Sequence, residues 1–386
     1  MPQELRGLFL LRPEVAFLNH GSFGACPRPV FEAYQAWQRE LEAEPVDFLG
    51  RRFEALMAQA RTELAHFLGA DPAHLVFVPN ATTALNTVAK SLDLQPGDEV
   101  LASDHEYGAV NRMWKHICSE KGARYVQAEI PVPVRSEEAI VEALKAQATA
   151  RTRVLCFSHI TSPTALRFPV DELVTWAKER GLVTVIDGAH APGQIPLHVE
   201  ALGTDFYAGN CHKWLMAPKG VGFLYARPQA QPLLKPLVIS WGPEIRETPG
   251  AAPLVEEHEW QGTRDIAAYL AVSEAIRFWT EHGWPEVIAR CHALLWEACQ
   301  ALANQGLQPI AADPAVSAPQ MASFMFPPCQ PKDVQRRIFA RYGVEVPLMP
   351  WNGRVLLRVS IQGYNSWDDV ERLRQALAEV LPELGS

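Results

Sequence analysis

The chain has 386 residues, of which 48% are hydrophobic and 20% charged, with a net charge of −9 and a pI near 5.8. That length predicts two packed lobes, and an acidic balance without blocks of like charge argues against nucleic acid or an anionic membrane as partner. Residues 1–6 lack the basic-then-apolar order of a signal peptide, and no apolar stretch approaches the roughly 18–20 residues that span a bilayer, so a soluble, cytoplasmic protein is expected.

In chain order, short β-rich apolar runs occur at 75–78, 99–102, 154–158, 183–187, 206–208 and 221–225. Amphipathic stretches lie between them at 84–91, 137–146 and 170–180. This alternation predicts an α/β architecture whose largely parallel sheet is covered on both faces. Near residue 255 the texture changes. Long helices are predicted at 265–282 and 284–305, short strands at 322–326 and 354–360, and a last helix at 367–381. That is an α+β pattern, so the expected division is a large lobe of residues 21–255 and a smaller one built from 1–20 and 256–386. The seven cysteines are scattered, odd in number and free of CxxC spacing. They read as reduced thiols, and no metal site is expected.

Ligands of such sheets bind beyond the carboxyl ends of the strands, so the residues after each apolar run carry the functional signal. Pro79-Asn80-Ala81-Thr82-Thr83 opens a helix with small and hydroxyl residues, which suits either an anion site or a plain N-cap by Asn80 or Thr82. Asp187-Gly188-Ala189-His190 places a carboxylate at the end of a buried strand, where it needs a cation or donors. In Asn210-Cys211-His212-Lys213-Trp214 a lysine is framed by aromatic and apolar residues, a setting that favours the neutral, nucleophilic amine. Lys219 is the rival lysine, but its Pro-Lys-Gly setting reads as an exposed turn.

Together these segments resemble the class V branch of the fold-type I pyridoxal-phosphate enzymes, which includes cysteine desulfurases, selenocysteine lyases, kynureninase and isopenicillin N epimerase. The resemblance runs from Asn19-His20-Gly21-Ser22-Phe23-Gly24 to Arg358-Val359-Ser360, with Lys213 twenty-six residues after Asp187. The opening motif, Asp104-His105-Glu106-Tyr107-Gly108-Ala109 and Ser158-His159-Ile160-Thr161-Ser162 look most like the isopenicillin N epimerase-like group. Ergothioneine-pathway C–S lyases share much of this texture.

The resemblance implies a mostly parallel seven-stranded sheet and pyridoxal phosphate as cofactor. Lys213 would be the Schiff-base lysine and Asp187 the partner of the pyridinium nitrogen. Tyr107 would stack on the cofactor ring, with His190 and Ser162 near its phenolic oxygen. Ala81, Thr82, Asn210 and His212 would hold the phosphate, with Thr263 of Gly262-Thr263 reaching the partner subunit's phosphate in a homodimer. Arg358 would bind the carboxylate of an amino-acid substrate, with His20 and Asn19 close by. Trp241, Trp260 and Trp351 are possible pocket walls. Family desulfurases carry a nucleophilic cysteine shortly before the C-terminal Arg, and residues 344–354 contain none. Desulfuration through a cysteine persulfide is therefore not expected; the resemblance to the isopenicillin N epimerase-like group implies an epimerase acting at Cα, with a C–S lyase or an aminotransferase as the alternatives.

Overall fold

The computed structural model describes residues 5–241 and 253–384. Its strands are β1 (Ala16–Phe17), β2 (Leu75–Val78), β3 (Glu99–Ser103), β4 (Arg124–Ala128), β5 (Thr152–Ser158), β6 (Val183–Gly188), β7 (Phe206–Asn210), β8 (Gly222–Ala226), β9 (Gln308–Pro309), β10 (Met321–Phe326), β11 (Val344–Glu345), β12 (Leu348–Trp351) and β13 (Arg354–Ser360). Seven of them form the main sheet in the order β2-β8-β7-β6-β5-β3-β4. The pairs from β7 to β4 are parallel, while β8 runs antiparallel to both β7 and β2. The mostly parallel seven-stranded sheet that the family resemblance implies is present.

Successive side chains of a strand point to opposite faces, and here both faces are buried. Leu75, Phe77, Leu155 and Phe157 belong to one apolar cluster, while Val76, Val78, Val154 and Cys156 belong to the other. This is why the central strands read as continuous apolar runs. Strand β4 was not predicted because it is the sheet edge, where Arg124 is exposed and Tyr125, Val126 and Gln127 are only half-buried.

Four antiparallel strands form a second sheet in the order β12-β13-β10-β9, flanked by the helices Trp284–Ala303, Pro331–Tyr342 and Trp367–Leu384. Residues 16–17 pair in parallel with 344–345, which ties the start of the chain to its C-terminal third. The predicted helix over 265–282 is divided into Ala267–Leu270 and Val272–Glu281, with Ala271 at φ −71° and ψ −4° between them. The helices Arg28–Ala43 and Phe53–Leu68 were not anticipated. Among the described residues no helix is long and apolar enough to cross a membrane, and no cluster of His, Cys, Asp or Glu suits a metal ion.

From β3 the chain moves outward to β4, then returns to the far side of β3 as β5 and continues through β6 and β7. The strand order thus reverses between β3 and β5, and such a reversal opens a crevice at the carboxyl ends of the strands.

Candidate active site

A cleft of about 640 Å³ occupies that crevice. Its floor comes from the strand ends (Ser158, Asp187, Asn210), one end from the start of the helix Ala81–Ser91, and its roof from Phe23, Met349 and Arg358. Lys213 lies in the cleft with Asp187 and His190. Its ammonium pKa is pulled down to about 7, mainly by burial and further by the charge of Arg358, against the opposing pull of Asp187. Lys213 Nζ is 2.9 Å from His190 Nε2, and Trp214 Nε1 donates to His190 Nδ1 over 3.2 Å. The indole N–H occupies the Nδ1 lone pair, so the hydrogen of the neutral imidazole resides on Nε2 and points at the lysine nitrogen. Burial holds His190 well below the usual imidazole range, in keeping with that neutral form.

Asp187 is 4% exposed, and its Oδ1 accepts from the Ala189 N–H at 3.0 Å. Burial raises its pKa, while that donor and Lys213 lower it. A buried carboxyl facing an open cleft in this way is suited to an N–H cation placed above it.

The helix Ala81–Ser91 opens with both features the sequence allowed. Asn80 Oδ1 caps the Thr83 N–H at 2.9 Å, and Ala81 and Thr82 line the cleft. Asn210 Oδ1 accepts the Ala81 N–H at 2.8 Å, so the amide of Asn210 is oriented with Nδ2 as its remaining donor. The backbone donor of Ala81 is thereby engaged within the protein. His212 Nδ1 donates to the Val221 carbonyl at 2.8 Å, and burial lowers its pKa to about 4. Neutral His212 therefore has no N–H left for an anion. A phosphate beside Nε2 would favour the imidazolium and restore that donor.

Arg358 is 2% exposed, and burial lowers its pKa only to about 10, so it stays a cation. Its Nη1 donates to the Ser162 carbonyl at 2.6 Å and to Ser162 Oγ at 3.3 Å, while Nη2 donates to Ser22 Oγ at 3.0 Å. These partners are all neutral, and Nε is buried without a partner among the described residues. A guanidinium held in this way suits a carboxylate as its charge partner.

The segment from Asn19 to Gly24 clamps the lysine loop against Arg358. A Cβ on Gly24 (φ +71°) would lie 2.1 Å from the His212 carbonyl oxygen, and one on Gly21 would lie 2.6 Å from Met321 Sδ. Only glycine permits both approaches. His20 is fully buried behind the cleft, with Nε2 3.0 Å from the Lys213 carbonyl and Nδ1 2.9 Å from Tyr364 Oη. It supports the lysine backbone and does not line the cleft. Asn19 is likewise one step removed, accepting from Ser22 Oγ at 2.5 Å.

Tyr107 lines the mouth of the cleft and is 45% exposed. Thr263 is exposed and lies outside the cleft, after Gly262 at φ +100°. The three tryptophans are not its walls. Trp241 and Trp260 line a separate cavity with Phe53 and Arg61, and Trp351 packs against His105 with the rings tilted by 44° while its Nε1 donates to the Asp104 carbonyl at 3.0 Å. Lys219 lies outside the cleft in an exposed turn. Sequence reasoning passed over Ser22, Ser158 and Glu106. The signal for Glu106 was its place just after a buried strand, obscured by His105 and Tyr107 on either side.

A strand-order reversal holding a depressed lysine, a buried carboxyl and an anion-seeking helix end defines the fold-type I class of pyridoxal-phosphate enzymes. The chain belongs to the class V aminotransferase family, whose model matches residues 19–373. It is 36% identical to isopenicillin N epimerase of Streptomyces clavuligerus over 97% of both chains. It is 32% identical to the putative L-cysteine desulfhydrase 1 of Oryza sativa subsp. japonica, covering 96% of this chain and 84% of the relative. The cysteine desulfurase CsdA of Escherichia coli superposes with a TM-score of 0.83 at 25% identity, covering 100% of this chain and 99% of that one. Pyridoxal phosphate is the cofactor, and the cleft fits it in volume, in the buried Asp187 and in the helix end beside Asn210 and His212.

Proposed function

We propose that this enzyme is isopenicillin N epimerase-like and removes and returns the hydrogen at Cα of an amino acid, with Lys213 as the base. The observation that carries this reading is the Lys213–His190 contact at 2.9 Å. A cleft-lining amine whose pKa lies near 7 accepts a proton readily, and the Nε2–H of the neutral His190 ring holds its nitrogen in place. When bound, pyridoxal phosphate supplies the electron sink that stabilises negative charge at Cα. Asp187 would partner the ring nitrogen and keep it protonated. Thr82, Asn210 and His212 would hold the phosphate, and Tyr107 would cover the ring from the cleft mouth. Arg358 takes the substrate carboxylate, which fixes the orientation of the Cα–H bond relative to Lys213. Inversion requires a proton donor on the opposite face, and the phenol of Tyr107 fills that role.

Of the seven cysteines none lines the cleft, and Met349 is the residue that the 344–354 segment contributes to it. Desulfuration through a cysteine persulfide is therefore not the proposed reaction. β-Elimination from a sulfur-bearing amino acid is the second reading, favoured by the desulfhydrase relative, because it needs only the one base. Incubation with L-amino acids in heavy water separates the two. Deuterium at Cα of recovered substrate, together with the opposite enantiomer on a chiral column, is expected. Pyruvate and ammonia released without exchange into substrate would select the lyase, and an oxo acid with aminated cofactor would select transamination.

Thr263 completes the phosphate site of the second subunit in a homodimer. Its exposure in the isolated chain and its distance from the cleft support this assignment. Thr263→Ala is expected to weaken cofactor binding by about tenfold, the effect of one hydrogen bond among several. Sedimentation of the holoenzyme as a monomer that retains cofactor tightly would contradict it.

A further inference from the structure

Glu106 lies at the point where the strand order reverses, and its carboxyl bridges the ends of two strands. Oε1 accepts from Ser103 Oγ at 2.5 Å at the end of β3, and Oε2 accepts from Ser158 Oγ at 2.6 Å at the end of β5. Ser158 is the direct register partner of Asp187 on β6, so in this parallel pair the serine and the aspartate project from the same face of the sheet. Glu106 is 2% exposed, and Asp187 is 4% exposed. Ser158 thus links the two buried carboxyls, hydrogen-bonded to Glu106 and register-paired with Asp187.

Among the described residues, the groups around Glu106 offer it hydroxyls, a thiol and a second carboxyl, and none of them is a cation. Strand β3 contributes Ser103, β5 contributes Ser158 and Cys156, β6 contributes Asp187, and β4 contributes Tyr125. The following helix, Gly108–Lys121, contributes Asn111, whose Nδ2 donates to the Glu106 carbonyl at 3.2 Å. Tyr125 and Cys156 are held protonated by burial, and a negative charge on Glu106 pushes each of them further in that direction. A carboxylate without a cation in such surroundings is costly, and two of them side by side cost more. Serine hydroxyls rotate, so Ser103 and Ser158 can serve either a carboxylate or a carboxylic acid.

We infer that Glu106 is a positioning residue that stores a proton beside Asp187, so that the two buried carboxyls keep one negative charge, located on Asp187 beneath the cofactor. The assignment rests on the reading of Asp187 as partner of the ring nitrogen. Burial raises the Glu106 pKa to about 7, with Asp187 adding to the shift and the serine hydroxyls opposing it, which agrees with a group that is protonated over much of the neutral range. A carboxyl whose folded pKa is raised stabilises the fold below its unfolded value of roughly 4.3, and that contribution is lost as pH rises through about 7.

The test compares Glu106→Gln with wild type as the full chain, with and without pyridoxal phosphate, by thermal melting from pH 5 to pH 9. Glutamine keeps the shape and cannot ionise. Without cofactor, the melting temperature of the variant relative to wild type is expected to rise by several degrees between pH 5 and pH 8, tracking the ionisation of Glu106. With cofactor bound, the visible absorbance of wild type is expected to shift with pH near neutrality, and the variant is expected to lose that shift. Glu106→Ala, lacking the partner for both serines, should melt below Glu106→Gln at every pH. A difference between Glu106→Gln and wild type that is constant across pH would overturn the inference, as would an unchanged spectral transition. Failure of the wild type to take up cofactor would instead strike the reading of Asp187, and the melting series without cofactor would still report on Glu106.

Discussion

Lys213→Ala is expected to lose the visible absorbance of the bound cofactor on dialysis and to fall in turnover by about 10³-fold or more. Two consequences of one side chain combine in this loss. The amine is the covalent tether of the cofactor in the proposed site, and it is also the base at Cα. The cofactor-free variant should differ from wild type in a second way. The Lys213 ammonium is depressed to about 7, chiefly by burial, from an unfolded value of roughly 10.4. The stability it contributes is present above the unfolded value and is lost as pH falls through about 7. Cofactor-free Lys213→Ala should therefore exceed cofactor-free wild type in melting temperature at pH 6, with the gap closing as pH rises. A variant that keeps the absorbance band would transfer the tether to another amine.

Asp187→Asn should lose about 10²- to 10³-fold in turnover, the scale expected when a charge that stabilises the reacting centre is removed. Its fold should survive. Asparagine retains an oxygen for the Ala189 N–H, which Asp187 Oδ1 now accepts at 3.0 Å, so the turn after β6 keeps its hydrogen bond. The substitution also removes a carboxyl whose pKa burial has raised. Such a group favours the folded state only while neutral, and that contribution is lost as pH rises through its folded value. Without cofactor the variant should accordingly melt no lower than wild type at pH 8. Loss of activity with retained stability marks a catalytic partner, whereas near-normal turnover would reduce Asp187 to a turn cap.

Much of this site was legible because the chemistry lies at strand ends. Asp187, Asn210 and Lys213 each follow a buried apolar run, and a polar group at such a position stands out against its neighbours. The fold was legible for the same reason, since central strands buried on both faces have little choice of composition. The edge strand β4 escaped because its burial is partial and its sequence mixed. The helices Arg28–Ala43 and Phe53–Leu68 lie outside the β-α alternation from which the fold was read. His20 shows a different limit. A histidine in a glycine-rich motif is compatible with substrate contact, and only the packing of residues 19–24 against the lysine loop reveals that both of its nitrogens face Tyr364 and the Lys213 carbonyl. Asn210 shows a third. Which end of an amide faces a ligand is decided by what the other end meets, here the Ala81 N–H. The tryptophans at 241, 260 and 351 were ambiguous for a related reason, because large aromatics fill cores more often than they line sites.

Borohydride reduction of the holoenzyme followed by peptide mass spectrometry reads directly which amine carries the cofactor. Reduction fixes pyridoxal phosphate to the amine that carries it. The mass of the reduced cofactor is expected on the Lys213 side chain alone, within Asn210-Cys211-His212-Lys213-Trp214, and absent from Lys219 six residues on. A label on Lys219, or a holoenzyme that takes up no label at all, would contradict the account.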